Sequence, residues 1–382
     1  HEGAEEGVRR RVELGAVRTE EHLEAIDLRH HTSPTNGRIE PYPADDDGLG
    51  DGGLSCSMAA WGCSTDAPSP RDRAQDAAGT LSRRGGPSGL SRLTQEHVRS
   101  ELEKLTNVEV ESWDAIHAVL DRLKSSPPPP DDATALEHAA RGVAFLTFEF
   151  GIDGVTLEIA KYAACFERLF RRSGIDVPIH CIGGNFTESA PLVLVSRWQT
   201  HRLEGANGWA KWDGGQWFDA LFFEDLPEGS NRSTELAAEI WRQARDLAGR
   251  LADLLLEQDI GLLIPVNVNS NPGNPALALA TVLVTEVMGL PVLNSSHDFH
   301  WEGGIRSTER APDEEPGIRD HFFRNASNEP FFRLIERLYP WDGRRWEQLV
   351  INSVQAECLV EEHGFDERRV REVGTFIEDT FF

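Results

Sequence analysis

From residue 142 onward the chain alternates short apolar runs with longer segments whose apolar positions recur at helical spacing. Residues 142–150 (GVAFLTFEF) are rich in branched and aromatic side chains and predict a strand. Gly151, Ile152, Asp153 and Gly154 then turn the chain into a helix predicted over 155–172. A second strand is predicted over 175–182, ending in Gly183 and Gly184. The run 218–223 reads as a further strand, and 235–258 as a long helix for which Ser233 is a good cap. Residues 261–266 (GLLIPV) form the uninterrupted apolar run of a strand buried on both faces. Residues 276–288 switch to Ala, Leu and Val, with Pro275 suited to a first helical position and Gly289 to the terminating cap. Strands at 291–293, 348–352 and 370–377, with a helix at 353–363 closed by Gly364, complete the pattern. Such alternation predicts an α/β fold with a doubly wound, mostly parallel, Rossmann-like sheet.

Residues 1–90 break this pattern. After a short amphipathic stretch at 5–28, residues 32–90 are dominated by Gly, Pro, Ser, Asp and Arg. A chain of that composition buries too little apolar surface to offset its ordering entropy, so disorder is expected. His30, His31 and the acidic Asp45, Asp46 and Asp47 read as solvated linker rather than as a metal site. Helical spacing returns over 93–123 through Val98, Leu102, Leu105, Trp113, Ile116, Val119 and Leu120, which predicts a pair of helices. Pro127 to Pro130, followed by Asp131 and Asp132, favour an extended spacer. The expected organisation is a low-complexity region over 1–90, a helical segment with a Pro-rich linker over 91–135, and an α/β domain over 136–382.

The polar residues gather where a parallel sheet puts its ligands, outside the carboxyl ends of the strands. Asn267, Asn269 and Asn271 alternate with small or branched residues, and Pro272, Gly273 and Pro275 stop regular structure, so a loop follows the 261–266 strand. Ser295, Ser296, His297 and Asp298 end the next strand, at the same edge. Asn267, Asn271 and Asn274 are candidate donors to a ligand's hydroxyls or carboxylate, with loop capping as the alternative. Gly151 and Gly154, on either side of Asp153, would let a ligand approach a helix N-terminus whose free amides favour an anion. The turn FGIDGVT is not GxGxxG, and no acidic residue closes the following strand, which disfavours a nicotinamide dinucleotide. Trp198, Trp209, Trp212 and Trp217 sit in a Gly-rich stretch, where indole faces either stack on sugar rings or pin a hairpin to the sheet; Trp301, Trp341 and Trp346 pose the same choice.

Charge and cysteine usage narrow the class. With 64 acidic against 38 basic residues the net charge is -26, the wrong sign for a nucleic acid or an anionic membrane surface. Cys56, Cys63, Cys165, Cys181 and Cys358 form no CxxC pair, which indicates neither a disulfide framework nor a zinc site; a reducing cytoplasm is expected. No apolar run reaches the ~18 residues of a spanning helix, and no basic-plus-apolar leader opens the sequence. The first residue is His1, so the chain reads as part of something longer.

Four landmarks carry a resemblance. The turn at 151–154 leads into GVTLEIAKYAACFERLFRRSG, similar to GVxxxxxELAxxLxxRG. The segment NSNPGNPALALA is similar to a PLNLPLALA loop and helix, and SSHDFHWE to an HHDFxWE motif. Lastly, VINSVQAECLVEEHGFDERRVREVGTFIED is similar to a VINS helix followed by a PNxxD linker, although Thr375 and Phe376 replace the Pro-Asn. Through these motifs residues 142–382 resemble the N-terminal, acceptor-side domain of a retaining, family-4-type glycosyltransferase of GT-B architecture, in which two Rossmann-like domains face each other across a cleft.

The resemblance implies a hexose transferred from a nucleotide-sugar donor, with retention, to a small polar or sugar acceptor such as a glycerate glycoside. It implies no tightly bound cofactor and no chain-bound metal. His297 falls on a histidine that contacts the donor sugar near its reacting carbon, the catalytic position; Trp301 is matched by the same motif. Asp298 and Glu302 bind sugar hydroxyls, orient the imidazole, or hold the loop. In the family a C-terminal domain with an E-x7-E pair holds the donor, and no such domain follows here, so the isolated chain is expected not to turn over. Two other readings stay open: another GT-B enzyme, a phosphorylase or epimerase, or a nonenzymatic α/β ligand-binding module whose N-terminal arm recruits partners.

Overall fold

The structure, a computed structural model, describes residues 95–126, 133–208, 216–222, 224, 226–227, 229–302 and 329–375. All of them belong to one compact unit, within Ser57–Phe382. The expected disordered region 1–90 lies outside the described residues, as do the proline run and the linker-like residues 376–382.

Among the described residues there are seven strands: β1 (Val143–Phe150), β2 (Ile179–Phe186), β3 (Gln199–Arg202), β4 (Leu262–Pro265), β5 (Val292–Ser296), β6 (Trp346–Val350) and β7 (Val370–Glu372). They pair in parallel throughout, in the order β3-β2-β1-β4-β5-β6-β7. The helices are α1 (Gln95–Thr106), α2 (Trp113–Ser125), α3 (Ala135–Ala139), α4 (Gly154–Arg171), α5 (Ala190–Val193), α6 (Gln216–Phe222), α7 (Asn231–Glu257), α8 (Pro275–Met288), α9 (Glu329–Leu338) and α10 (Ser353–Glu357). This is the doubly wound α/β architecture that the alternation predicts.

Both faces of the sheet are covered, and the period of two along β1 shows how. Ala144 and Leu146 join a core built with α1, α2, α7, α8 and α9, whereas Val143 and Phe145 join a second core with Ile159, Ala163, Phe166 and Phe170 of α4. A strand apolar at consecutive positions is what two covered faces require. The centre of the first core is α8, buried along its length except at Val287. Asn274 caps its start, Pro275 opens it, and Gly289 ends it in the left-handed conformation at φ 61. Val98, Leu102, Trp113, Ile116 and Leu120 of the predicted helix pair lie in this same core.

Several local expectations are corrected. Of the strand expected over 218–223, the described residues 218–222 are instead helical, in α6, whose Ala220, Leu221 and Phe222 are buried, with the Phe222 ring against Phe331. A short apolar run does not carry enough repeats to separate the two periods. The cap of α7 is Ser230, whose hydroxyl accepts from the Ser233 amide; Ser233 lies one turn inside and accepts the Trp113 indole N–H at 3.0 Å. The second strand runs through Gly183 and Gly184 rather than ending at them. A Cβ on Gly184 would lie 2.3 Å from the Asn207 amide nitrogen, so this glycine serves close packing, not a turn. The edge strand β3 is largely exposed and carries no alternation for the sequence to show. After Glu357 the predicted helix loosens into a π-turn over Cys358–Glu362, closed by the His363 amide on the Cys358 carbonyl.

Candidate functional site

The strand order reverses between β1 and β4: the chain leaves β1 toward β2 and β3, then returns to β1's other side at β4. Loops at the carboxyl ends of these two strands diverge and leave a crevice. A cavity of about 170 Å³ opens there, lined by Thr147 and Phe148 of β1, Val155 of α4, Gly208, and Asn267, Asn271 and Gly273 from the loop after β4. Gly273 is needed at that wall, since a Cβ on it would lie 2.8 Å from the Phe148 ring. The Asn271 side-chain oxygen is enclosed and takes no hydrogen bond from the described residues.

Asn267 joins this cavity to the end of β5. It sits at φ 59, a left-handed conformation that asparagine tolerates better than most side chains. In that pose its amide donates to the Ser295 carbonyl and its Oδ1 accepts the His297 amide at 2.8 Å. From the far side Gln355 of α10 donates to the His297 carbonyl at 3.2 Å. Both backbone groups of His297 are therefore fixed by side chains of other elements, while the ring's Nε2 is enclosed and has no hydrogen-bond partner among the described residues. Burial holds the imidazole below its ordinary pKa; the charges of Glu158 and Asp298 oppose that shift and Lys161 adds to it. The ring is thus mostly neutral near pH 7, able to give or take one hydrogen bond at Nε2.

Mannosylglucosylglycerate synthase of Petrotoga mobilis is 26% identical to this chain over 128 residues, which make up 34% of this chain and 25% of that protein. No family model matches. The aligned stretch is thus about a quarter of the relative's length, and the similarity is to a glycosyltransferase.

The remaining residues singled out from sequence divide by what they already hold. Asp153 caps α4: its carboxylate accepts the Thr156 amide at 2.8 Å and the Thr156 hydroxyl at 3.0 Å. That hydroxyl in turn accepts the Gly151 amide, and Ser189 accepts the Ile152 amide, so three amides of the turn are engaged within the chain. A carboxylate stands at the helix N-terminus where an anion was expected. A Cβ on Gly151 would lie 2.9 Å from the Thr187 hydroxyl, whereas one on Gly154 would meet nothing within 4 Å. Asn274 is fully buried and caps α8 while donating to the carbonyls of Gly205 and Asn207. Glu302 accepts the Phe299 amide at 2.7 Å and a Gln355 N–H at 2.9 Å, which closes the loop that carries His297 and Asp298. The Trp301 ring stacks on Phe299 and on His363, each at 4.3 Å between centroids.

Among the tryptophans, Trp198, Trp341 and Trp346 are buried and donate to Glu167, Glu286 and Thr285; they serve the core. The side chains of Trp209, Trp212 and Trp217 lie outside the described residues.

The site also contains residues that the motif reading passed over. Glu158 and Lys161, one turn apart on α4, form an ion pair at 2.7 Å with both side chains 9% exposed. Their signal was two opposite charges at i and i+3 inside an otherwise apolar face. Gln355 sits three residues after Asn352, the cap of α10, and nothing in its local sequence ties it to His297.

Proposed function

We propose that this domain forms the acceptor-facing wall of a glycosyltransferase active site, of the GT-B, family-4-type retaining class, with His297 as its chemical centre. The observation that carries the reading is the His297 imidazole: it is clamped through its backbone by Asn267 and Gln355, presents an unpartnered Nε2, and stands at the sheet edge where α/β folds bind ligands. The HDFxWE-like motif around it and the similarity to mannosylglucosylglycerate synthase support the same reading.

Retaining transfer passes through an oxocarbenium-like state as the nucleotide diphosphate departs, so the protein must orient the acceptor and place polar groups where charge develops. A neutral histidine fixed in a dry site can hydrogen-bond a hydroxyl near the reacting carbon without bringing a positive charge against the cationic sugar. In this reading Asn267 and Asn271, which line the cavity, meet the acceptor hydroxyls. The substrates that fit this reading are a hexose nucleotide as donor and a glycerate or glycerate glycoside as acceptor.

The test is to incubate the full-length protein with UDP-glucose, GDP-glucose or GDP-mannose and a glycerate glycoside, and to follow hexose addition by mass spectrometry and nucleotide-sugar binding by calorimetry. Binding or transfer that disappears in His297→Ala is the expected result. No saturable binding of any nucleotide sugar, together with no transfer, would sink the assignment.

A further inference from the structure

Glu158 is an anomaly for a residue that lies on a helix of an acidic protein. It is 7% exposed; its Oε1 accepts the Lys161 ammonium at 2.7 Å, yet its Oε2 is enclosed and takes no hydrogen bond from any group among the described residues. Taking a carboxylate from water is costly, and a single lysine leaves one of its two oxygens uncompensated. His297 shows the same pattern in its enclosed, unpartnered Nε2. Neither lines the cavity itself, but each is one step from a residue that does. Val155 lines the cavity and lies one turn before Glu158 on the same face of α4, and Asn267 lines it while holding the His297 amide. Glu158 is also near enough for its charge to act on the His297 ring.

We propose that Glu158 Oε2 and His297 Nε2 together form a subsite for two hydroxyls of a neutral sugar or polyol, with Lys161 as the positioning residue that holds the carboxylate in place. The inference rests on the reading of the crevice as a glycosyl-transfer site and deepens it. An ion-paired carboxylate has acceptor lone pairs only, so its partner must bring an O–H or N–H donor. A neutral imidazole nitrogen exchanges one hydrogen bond with a second hydroxyl in either direction, according to tautomer. Phosphate or carboxylate would set like charge against Oε2, so the subsite selects the neutral, hydroxyl-bearing part of a substrate and leaves anionic groups elsewhere in the crevice.

The experiment titrates the full chain with methyl α-D-glucopyranoside, methyl α-D-mannopyranoside and their monodeoxy analogues, with inorganic phosphate as the counter-probe. The double variant Glu158→Gln, Lys161→Met removes both charges at near-constant volume. Wild type is expected to bind a glycoside saturably and phosphate not at this locus. In the variant, with its circular dichroism unchanged, affinity should fall about tenfold or more, the loss of a hydrogen bond to a charged acceptor. The deoxy analogue that lacks the Glu158 hydroxyl should lose nothing further in the variant, because two changes that remove one contact do not add. A purely structural role for the pair would instead weaken every analogue by the same factor. If the variant does not fold, wild type still decides: the His297 imidazole signals, assigned with His297→Gln, should shift with the glycoside and not with the matching deoxy analogue.

Unchanged affinity in the folded variant, additive losses, unshifted imidazole signals, or no glycoside binding by wild type would each overturn the subsite. Transfer from a nucleotide sugar with unaltered glycoside affinity in the variant would remove the subsite and leave the glycosyltransferase reading intact. Loss of glycoside affinity in the variant, without any transfer or nucleotide-sugar binding by the full-length protein, would do the reverse.

Discussion

The Oδ1 of Asn267 accepts the backbone amide of His297, thirty positions along the chain, at 2.8 Å, and this bond helps tie the loop after β4 to the end of β5. The left-handed backbone of Asn267 makes the bond possible, because it turns the short side chain toward the neighbouring strand.

Replacing Asn267 therefore acts on His297 rather than on the cavity alone. Asn267→Ala removes the acceptor and puts an ill-suited residue at φ 59, so it should cost about 1–3 kcal/mol and release the His297 loop. Asn267→Asp keeps both the acceptor and the tolerance for that backbone, and should restore most of the loss. Urea denaturation gives the stability change, and hydrogen exchange at the His297 amide gives the release. Equal exchange in both variants would argue against the clamp.

Two serines near the start of α7 should separate by mechanism. Ser230→Ala removes a helix cap and is expected to cost about 1 kcal/mol. Ser233→Ala leaves the buried Trp113 indole N–H without its acceptor and should cost about 1–3 kcal/mol, with an altered Trp113 fluorescence that the cap variant lacks. An emission change in Ser230→Ala alone would reverse the assignment of cap and core serine.

Two glycines should respond in opposite ways to the same added methyl. Gly184→Ala would drive a Cβ into the Asn207 backbone, and a loss of about 3 kcal/mol or more in chemical denaturation is expected. Gly154→Ala meets open space at the first position of α4, so it should be neutral or stabilise by about 0.5 kcal/mol. Should Gly154→Ala nevertheless abolish ligand binding, a ligand must approach the backbone there, as the sequence reading expects.

At the other end of the sheet, His180 donates to or accepts from His201 at 3.0 Å; burial first, and the facing His201 second, depress its pKa to about 4. A base whose folded pKa lies below its ordinary value near 6.5 binds more protons when unfolded. The neutral ring thus favours folding fully above pH 6.5, and that contribution is lost as pH falls from 6.5 toward 4. The denaturation midpoint of wild type should fall through that window, and His180→Gln should flatten the fall. Parallel pH profiles for the two proteins would show that the pair does not titrate with folding.

The sequence by itself determined the α/β class, the parallel order of alternation and the helices of α1, α2, α4, α7 and α8. These have long or strongly patterned apolar runs, where local periodicity and burial agree. It also placed His297, Asn267 and Asn271 at one sheet edge, because in a parallel fold every loop after a strand emerges on the same side. The tertiary structure alone decided which polar residue does what. Asp153, Asn274 and Glu302 are the residue types that bind ligands, and they are also the types that cap helices and close loops; only their partners separate the two roles. Glu158, Lys161 and Gln355 escaped the motif reading for the complementary reason. Their importance lies in a charge or a hydrogen bond that acts on His297, 139, 136 and 58 positions away in sequence, and no local pattern encodes a meeting of that kind.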